Sequence, residues 1–269
     1  METAREHTLT GTRGRISLRE WHHRAPRRVV LLVHGYGEHT GRYGHVARAL
    51  LEHGCAVFAP DHMGHGRSDG ERVLIEDFED VVVDVRTAAG FAGEAHPGVP
   101  LVMLGHSMGG MIAARYAQRY GSGLAGLVLT GPVLGRWEVI ERLLPLAEIP
   151  DEPIDTATLS RDPAVGAAYA ADPLVWHGPF RPATVRAFDR ALRRIAAAGP
   201  LGALPTLWVH GEDDRLVPLD GTRPGVARLR GSDFTERLRP GARHEVLNET
   251  DRDEVLAEVT AFLDRLPSR

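Results

Sequence analysis

A serine hydroxyl becomes a nucleophile only when a base stands ready to take its proton. Serines placed in sharp, exposed turns are therefore the first residues to weigh. Ser107 lies in the run LVMLGHSMGG, where Gly105-His106-Ser107-Met108-Gly109 fits the pattern G-x-S-x-G. An apolar run precedes it and a helical pattern follows. The motif needs that context, because a tight strand-to-helix turn lifts the hydroxyl above the end of a sheet. Gly105 and Gly109 let neighbouring backbone pass without a clash. The helix start beyond the serine favours negative charge. Attack on an ester carbonyl is the chemistry implied. A serine merely packed by glycines in a βα turn would explain the spacing but not the flanks.

The base should come late in the chain. His244 falls in PGARHEVLNETDRDEV, after the last apolar β-rich run, and completes the order Ser, then acid, then His. His7, His22, His23, His45, His53 and His96 read as surface or packing residues. His177 lies in a helical insertion, and His210 ends a strand ahead of the acid. The acid should follow the run 206–210, where GEDDRLVP offers Glu212, Asp213 and Asp214, all plausible by spacing. Its task is to hold the imidazole tautomer and to stabilise the imidazolium. A tetrahedral intermediate also needs preorganised donors. The backbone N–H of Met108 supplies one. The second is expected from His34-Gly35-Tyr36-Gly37, with Tyr36 N–H as the choice. Asp61, His62 and His65 lack the usual zinc-ligand spacing, so neither metal nor cofactor is invoked.

Such residues meet only if the right elements carry them. The chain alternates short apolar runs with helical patterns, which argues for a mostly parallel sheet with helices on both faces. Residues 7–21, with Gly11 and Gly14 at a turn, read as an antiparallel hairpin at a sheet edge. Strands are expected at 29–33, 56–59, 101–104, 124–130, 206–210 and 234–238. Helices are expected through Tyr43, Val46, Ala47, Leu50 and Leu51, with Gly54 as the stop, and at 75–92 and 108–120. A last helix is expected to start at Thr250, with Asp253 three residues on as a capping box. Its Val255, Leu256, Val259, Phe262 and Leu263 make one apolar face. Between 133 and 198 the pattern changes to helix-like pieces broken by seven prolines. That stretch reads as an inserted cap, leaving 1–132 and 199–269 as the core.

Composition narrows the function classes. The 269 residues are 43% hydrophobic and carry a formal net charge of −4. No basic block is present, so nucleic acid is not expected as a partner. One cysteine, Cys55, excludes an intramolecular disulfide. METAREHTLT is charged early and does not read as a signal peptide, and no stretch is apolar enough to span a bilayer. A cytoplasmic protein is expected, with peripheral membrane attachment open.

HGYGEHTGRY, PDHMGHGRSDG, GHSMGG, LSRDP, GEDDRLVP and RHEVLNE, in that order, resemble the monoacylglycerol lipases of the α/β-hydrolase superfamily, particularly the bacterial ones. The resemblance runs through most of the chain. It implies an α/β-hydrolase fold with a mostly parallel eight-stranded sheet and a helical cap. It implies Ser107, Asp214 and His244 as the triad, with Tyr36 and Met108 as oxyanion donors. It places Glu38, Arg42 and Asn248 at the glycerol head of the substrate. The implied reaction splits a monoacylglycerol into glycerol and a fatty acid, with cap contact to membranes or micelles. A lysophospholipase, carboxylesterase or thioesterase would use the same triad. A non-catalytic binding protein of this fold is the remote rival.

Overall fold

The computed structural model describes residues 4–268. Eight strands form one sheet in the order β1-β2-β4-β3-β5-β6-β7-β8. Strands β1 (Arg5–Thr10) and β2 (Arg15–Trp21) make the expected edge hairpin, and β2 continues antiparallel onto β4 (Cys55–Pro60). From β4 onward every pairing is parallel, through β3 (Arg28–Val33), β5 (Leu101–His106), β6 (Gly126–Thr130), β7 (Thr206–Gly211) and β8 (Phe234–Arg239). The strand order reverses between β3 and β5. The loops leaving these two strands diverge there and open a crevice, the usual ligand position in open α/β sheets.

Both faces of the sheet are covered, which is why the central strands read as continuous apolar runs rather than alternating ones. Alternate residues of β3 serve opposite faces. Val29, Leu31 and Val33 meet α2 (Phe78–Ala95) and α3 (Met108–Tyr120). Val30 and Leu32 meet α1 (Gly44–Glu52) and the final helix, α8 (Arg252–Asp264). The insertion after β6 carries α4 (Glu138–Leu143), α5 (Pro163–Ala171) and α6 (Pro182–Ala198), and no strand among its described residues. Helix α6 packs against α2 and α3. Its Val185, Phe188, Ala191 and Ile195 enter the same core cluster, and the Phe188 ring sits 4.7 Å from Phe78.

Two local expectations are corrected. The helix expected from residue 75 begins at Phe78, because Asp77 caps it by accepting from Glu79 N at 3.0 Å. Ile75 N instead donates to Thr184 Oγ1 at 2.9 Å. The last helix starts at Arg252 without the Thr250–Asp253 box, and Thr250 N donates to the neighbouring Glu249 carboxylate. Helix α7 (Leu219–Leu229), with Gly221, Pro224 and Gly225 inside it, was not singled out from sequence.

Phe188, on α6, is fully buried between Phe78 of α2 and Trp137, just before α4. Truncating a buried phenylalanine removes transfer energy and leaves a cavity. Phe188→Ala is expected to lower the unfolding free energy by about 3–5 kcal/mol in urea denaturation. A loss under about 1 kcal/mol would show that this contact does not couple the insertion to the core.

Candidate active site

Strand β5 ends at His106, and α3 begins at Met108. Ser107 makes the whole turn between them, with φ +54° and ψ −120°. A non-glycine residue there is strained by roughly 1–3 kcal/mol. The close approach explains the flanking glycines: a Cβ on Gly109 would stand 2.0 Å from Val33 O, and one on Gly105 2.4 Å from Gly109 O. Met108 is the first helical residue, where an N–H has no carbonyl of its own helix to bind.

Ser107 Oγ lies 2.9 Å from His244 Nε2, and His244 Nδ1 lies 2.7 Å from Asp214 Oδ2. Residues from the loops after β5, β7 and β8 thus form one hydrogen-bonded line. Of the three acids in GEDDRLVP, only Asp214 is buried, and Glu212 and Asp213 face solvent. Leu216 N and Val217 N donate to Asp214 Oδ1 at 3.0 and 2.9 Å. Burial works against the Asp214 charge, but His244 and His210 outweigh it and hold the carboxyl far below its usual range. Burial likewise opposes a charge on His244, yet Asp214 raises its pKa above the ordinary 6.5. The neighbouring His106 goes the other way. Burial, then the charge of His244, pushes it down to about 4, so it packs as a neutral ring.

The loop after β3 is stretched over a buried carboxylate. Glu38 Oε1 accepts from Gly35 N at 2.7 Å and from Tyr43 Oη at 2.5 Å. Glu38 Oε2 takes Arg42 Nη1 at 2.6 Å. Arg42 also grips Glu245 through two bonds of 2.8 Å. Burial penalises the Glu38 charge most, but Arg42 and the donated hydrogen bonds still hold its pKa below the ordinary value. Arg42 also loses hydration, and the two carboxylates nevertheless raise its pKa. Glu245, next to the histidine in RHEVLNE, was not singled out from sequence. Its role shows only once Arg42 is seen reaching across 203 residues to it.

Ser107, His244, Glu38, Arg42 and Glu245 all border one cavity of about 230 Å³. Tyr36 lines it too, stacked at 4.4 Å on Phe180. Asn248 does not line it. Its amide donates to Glu245 Oε2 at 2.8 Å, behind the cavity wall. Trp137, Val139, Ile154, Leu159 and Leu216 give it an apolar wall, and Arg142, Glu152 and Asp155 also border it. Asp61, with His62 and His65 beside it, acts as a loop clasp. Its carboxylate accepts from Thr40 N at 2.8 Å and Arg67 N at 2.9 Å.

A serine hydroxyl bonded to an imidazole, which is itself bonded to a buried carboxylate, beside apolar side chains, makes an arrangement suited to acyl transfer. Residues 24–251 match the family model Hydrolase_4, described as serine aminopeptidase, S33. A monoacylglycerol lipase of Mycolicibacterium smegmatis is 40% identical over 97% of both chains. The human monoglyceride lipase is 34% identical, over 83% of this chain and 77% of its own. A thermostable carboxyl esterase from Bacillus coagulans, solved with glycerol, superposes with a TM-score of 0.85 at 27% identity and 99% coverage of both chains. Given likeness of this extent at both the sequence and the fold level, the chain belongs to the monoacylglycerol lipase-type α/β-hydrolases, a family of serine hydrolases, and is an enzyme.

Proposed function

We propose that the protein hydrolyses monoacylglycerols to glycerol and a fatty acid through Ser107, His244 and Asp214. The observation carrying this reading is the Ser107–His244 contact of 2.9 Å inside a cavity with one polar end and one apolar wall. His244 takes the hydroxyl proton as Ser107 attacks the ester carbonyl. The N–H groups of Met108 and Tyr36 stabilise the oxyanion. Glycerol leaves with the proton held by His244, and water then splits the acyl-enzyme with the roles reversed. Glu38 and Arg42 face the glycerol hydroxyls, while Asn248 acts through Glu245. The apolar wall takes the acyl chain, at about 0.8 kcal/mol per buried methylene.

The rival lysophospholipase reading meets an electrostatic objection. The polar end has two carboxylates against one guanidinium, which suits neutral hydroxyls better than a phosphodiester anion. The esterase and thioesterase readings share the same triad and differ only in what the cavity favours. A panel of monoacylglycerols, diacylglycerols, lysophospholipids and p-nitrophenyl esters is expected to rank monoacylglycerols first by kcat/KM. Ser107→Ala should lose about 10³-fold or more in activity and all labelling by a fluorophosphonate probe. Glycerol esters ranking last would overturn the substrate assignment, and labelling that persists in Ser107→Ala would overturn the nucleophile.

The base must be neutral to accept a proton, so kcat/KM should fall as pH drops through the His244 pKa. The acid limb is expected to have its midpoint above 6.5, because Asp214 holds that pKa up. Asp214→Asn should move the midpoint down and cut kcat by about 10⁴-fold. A wild-type midpoint below about 6 would contradict the role given to Asp214.

No described helix is long and apolar enough to cross a membrane. Leu144 and Leu146, just after α4, are nevertheless 38% and 43% exposed, beside the cavity residues Val139 and Arg142. We assign them to transient contact with lipid aggregates. The protein should co-float with phospholipid vesicles, and the Leu144→Asp/Leu146→Asp variant should not. Absence of wild-type flotation, with or without substrate lipid, would remove this contact.

A further inference from the structure

Histidines 22 and 96 read from sequence as surface or packing residues, yet the fold brings them together. Among the described residues, Glu20, His22 and His96 form a group whose ligand atoms all lie within 4.8 Å of one another. The group sits away from Ser107. Strand β2 runs antiparallel to β4, with Leu18 opposite Pro60 and Trp21 opposite Val57. Residues 20–22 therefore lie toward the start of β4, whereas Ser107 lies beyond the ends of the parallel strands. His96 caps the C-terminus of α2 at that same lower edge.

We propose that Glu20, His22 and His96 bind a zinc ion that fastens the edge hairpin to the end of α2. Two imidazoles and one carboxylate form a donor set that borderline divalent transition metals favour, and water completes a tetrahedral shell. The carboxylate is prepared for the task. Glu20 is only 5% exposed. Glu20 Oε1 lies 2.8 Å from His22 Nδ1, and its Oε2 lies 2.7 Å from His7 Nε2. His7 thus orients the carboxylate from behind, as outer partners of metal ligands do. Arg5 approaches Glu20 Oε1 to 3.8 Å, but it is half exposed and can turn to solvent.

The geometry needs little change. Zinc–nitrogen bonds of about 2.0–2.1 Å set neighbouring ligand atoms roughly 3.4 Å apart in a tetrahedron. His22 must open slightly from Glu20, and its side chain, 29% exposed just past the end of β2, has room to do so. The His22 and His96 rings already lie 6.1 Å apart with planes inclined by 31°. Zinc requires both imidazoles to be neutral.

The test is zinc titration of the EDTA-treated full chain against a chromophoric chelator, followed by thermal unfolding. One zinc per chain is expected. At a zinc concentration a hundredfold above Kd, Tm should rise by roughly 5–10 °C. Glu20→Gln and His96→Gln should each weaken binding by about 100-fold or more. His7→Ala should weaken it by about 10–100-fold, as the orienting partner. Esterase activity should stay unchanged in all of them. Should the two buried substitutions fail to fold, His22→Ala at the exposed ligand decides: loss of binding supports the site and retention refutes it. Wild-type binding no tighter than roughly 100 μM, or wild-type affinity in the folded variants, overturns the proposal.

Discussion

The backbone of Ser107 is the constraint around which the rest is organised. Among the described residues, only Val73 shares a positive φ without being glycine. The turn is held from four directions. Ser107 N donates to Thr130 O at 3.0 Å, and Ser107 O accepts from Gly110, Met111 and Val133. Three of these bonds come from the helix or the adjacent strand. The fourth comes from Val133, at the root of the insertion. A strained residue persists only where its surroundings over-determine it, and here strand β6, helix α3 and Val133 do so together. The glycines at 105 and 109 are the other half of that bargain, since no side chain fits where α3 meets the end of β3.

Around this turn the protein buries charge and neutral imidazole in separate places. The Glu38–Arg42–Glu245 group is ionic and nearly dry, with side chains 4%, 11% and 5% exposed. Burying such a group is costly, and breaking it by removing one partner costs more than leaving it whole. It joins the loop after β3 to the loop after β8, the loops that carry Tyr36 and His244. His34, His62 and His65 lie beside it, all pushed down mainly by burial, with His65 at about 4. Rings that stay uncharged can pack closely, as His34 and His62 do with centroids 4.2 Å apart and planes inclined by 39°.

What the sequence made legible follows from range. Strands read well because burial on both faces writes an unbroken apolar run, as in 29–33. Ser107 was legible because its motif is local, with strand, turn and helix contiguous. His244 was legible through order along the chain. The carboxylate that meets His244 was not settled by spacing, since Glu212, Asp213 and Asp214 differ only in which way the turn points them. The resemblance chose Asp214, and burial separates it from its neighbours in the fold. Helix α7 escaped notice because tertiary packing overrides the breakers Pro224 and Gly225. The Thr250 box failed because Asp251, the residue before α8, is held by Arg239 and Arg161 instead. Glu245 and the Glu20–His22–His96 group were invisible, as their partners are remote in sequence.

The insertion is fastened unevenly, and this divides its stiffness. Trp176 N donates to Gly37 O at 2.7 Å, Glu245 N to Leu159 O at 2.8 Å, and Arg161 bonds Glu249 and Asp251. Trp137 Nε1 is tied to Leu216 O at 2.8 Å. Between these anchors, among the described residues, the hydrogen bonds of 138–154 stay within 136–155. The later part of the insertion is therefore a door frame, bolted to the very loops that carry Tyr36 and His244. The stretch 138–154 is held differently: its polar groups bond among themselves, while Ile140 and Leu143 are wedged into the core. Two neighbouring pieces of chain over the cavity are thus secured by different means, one by bolts and the other by packing.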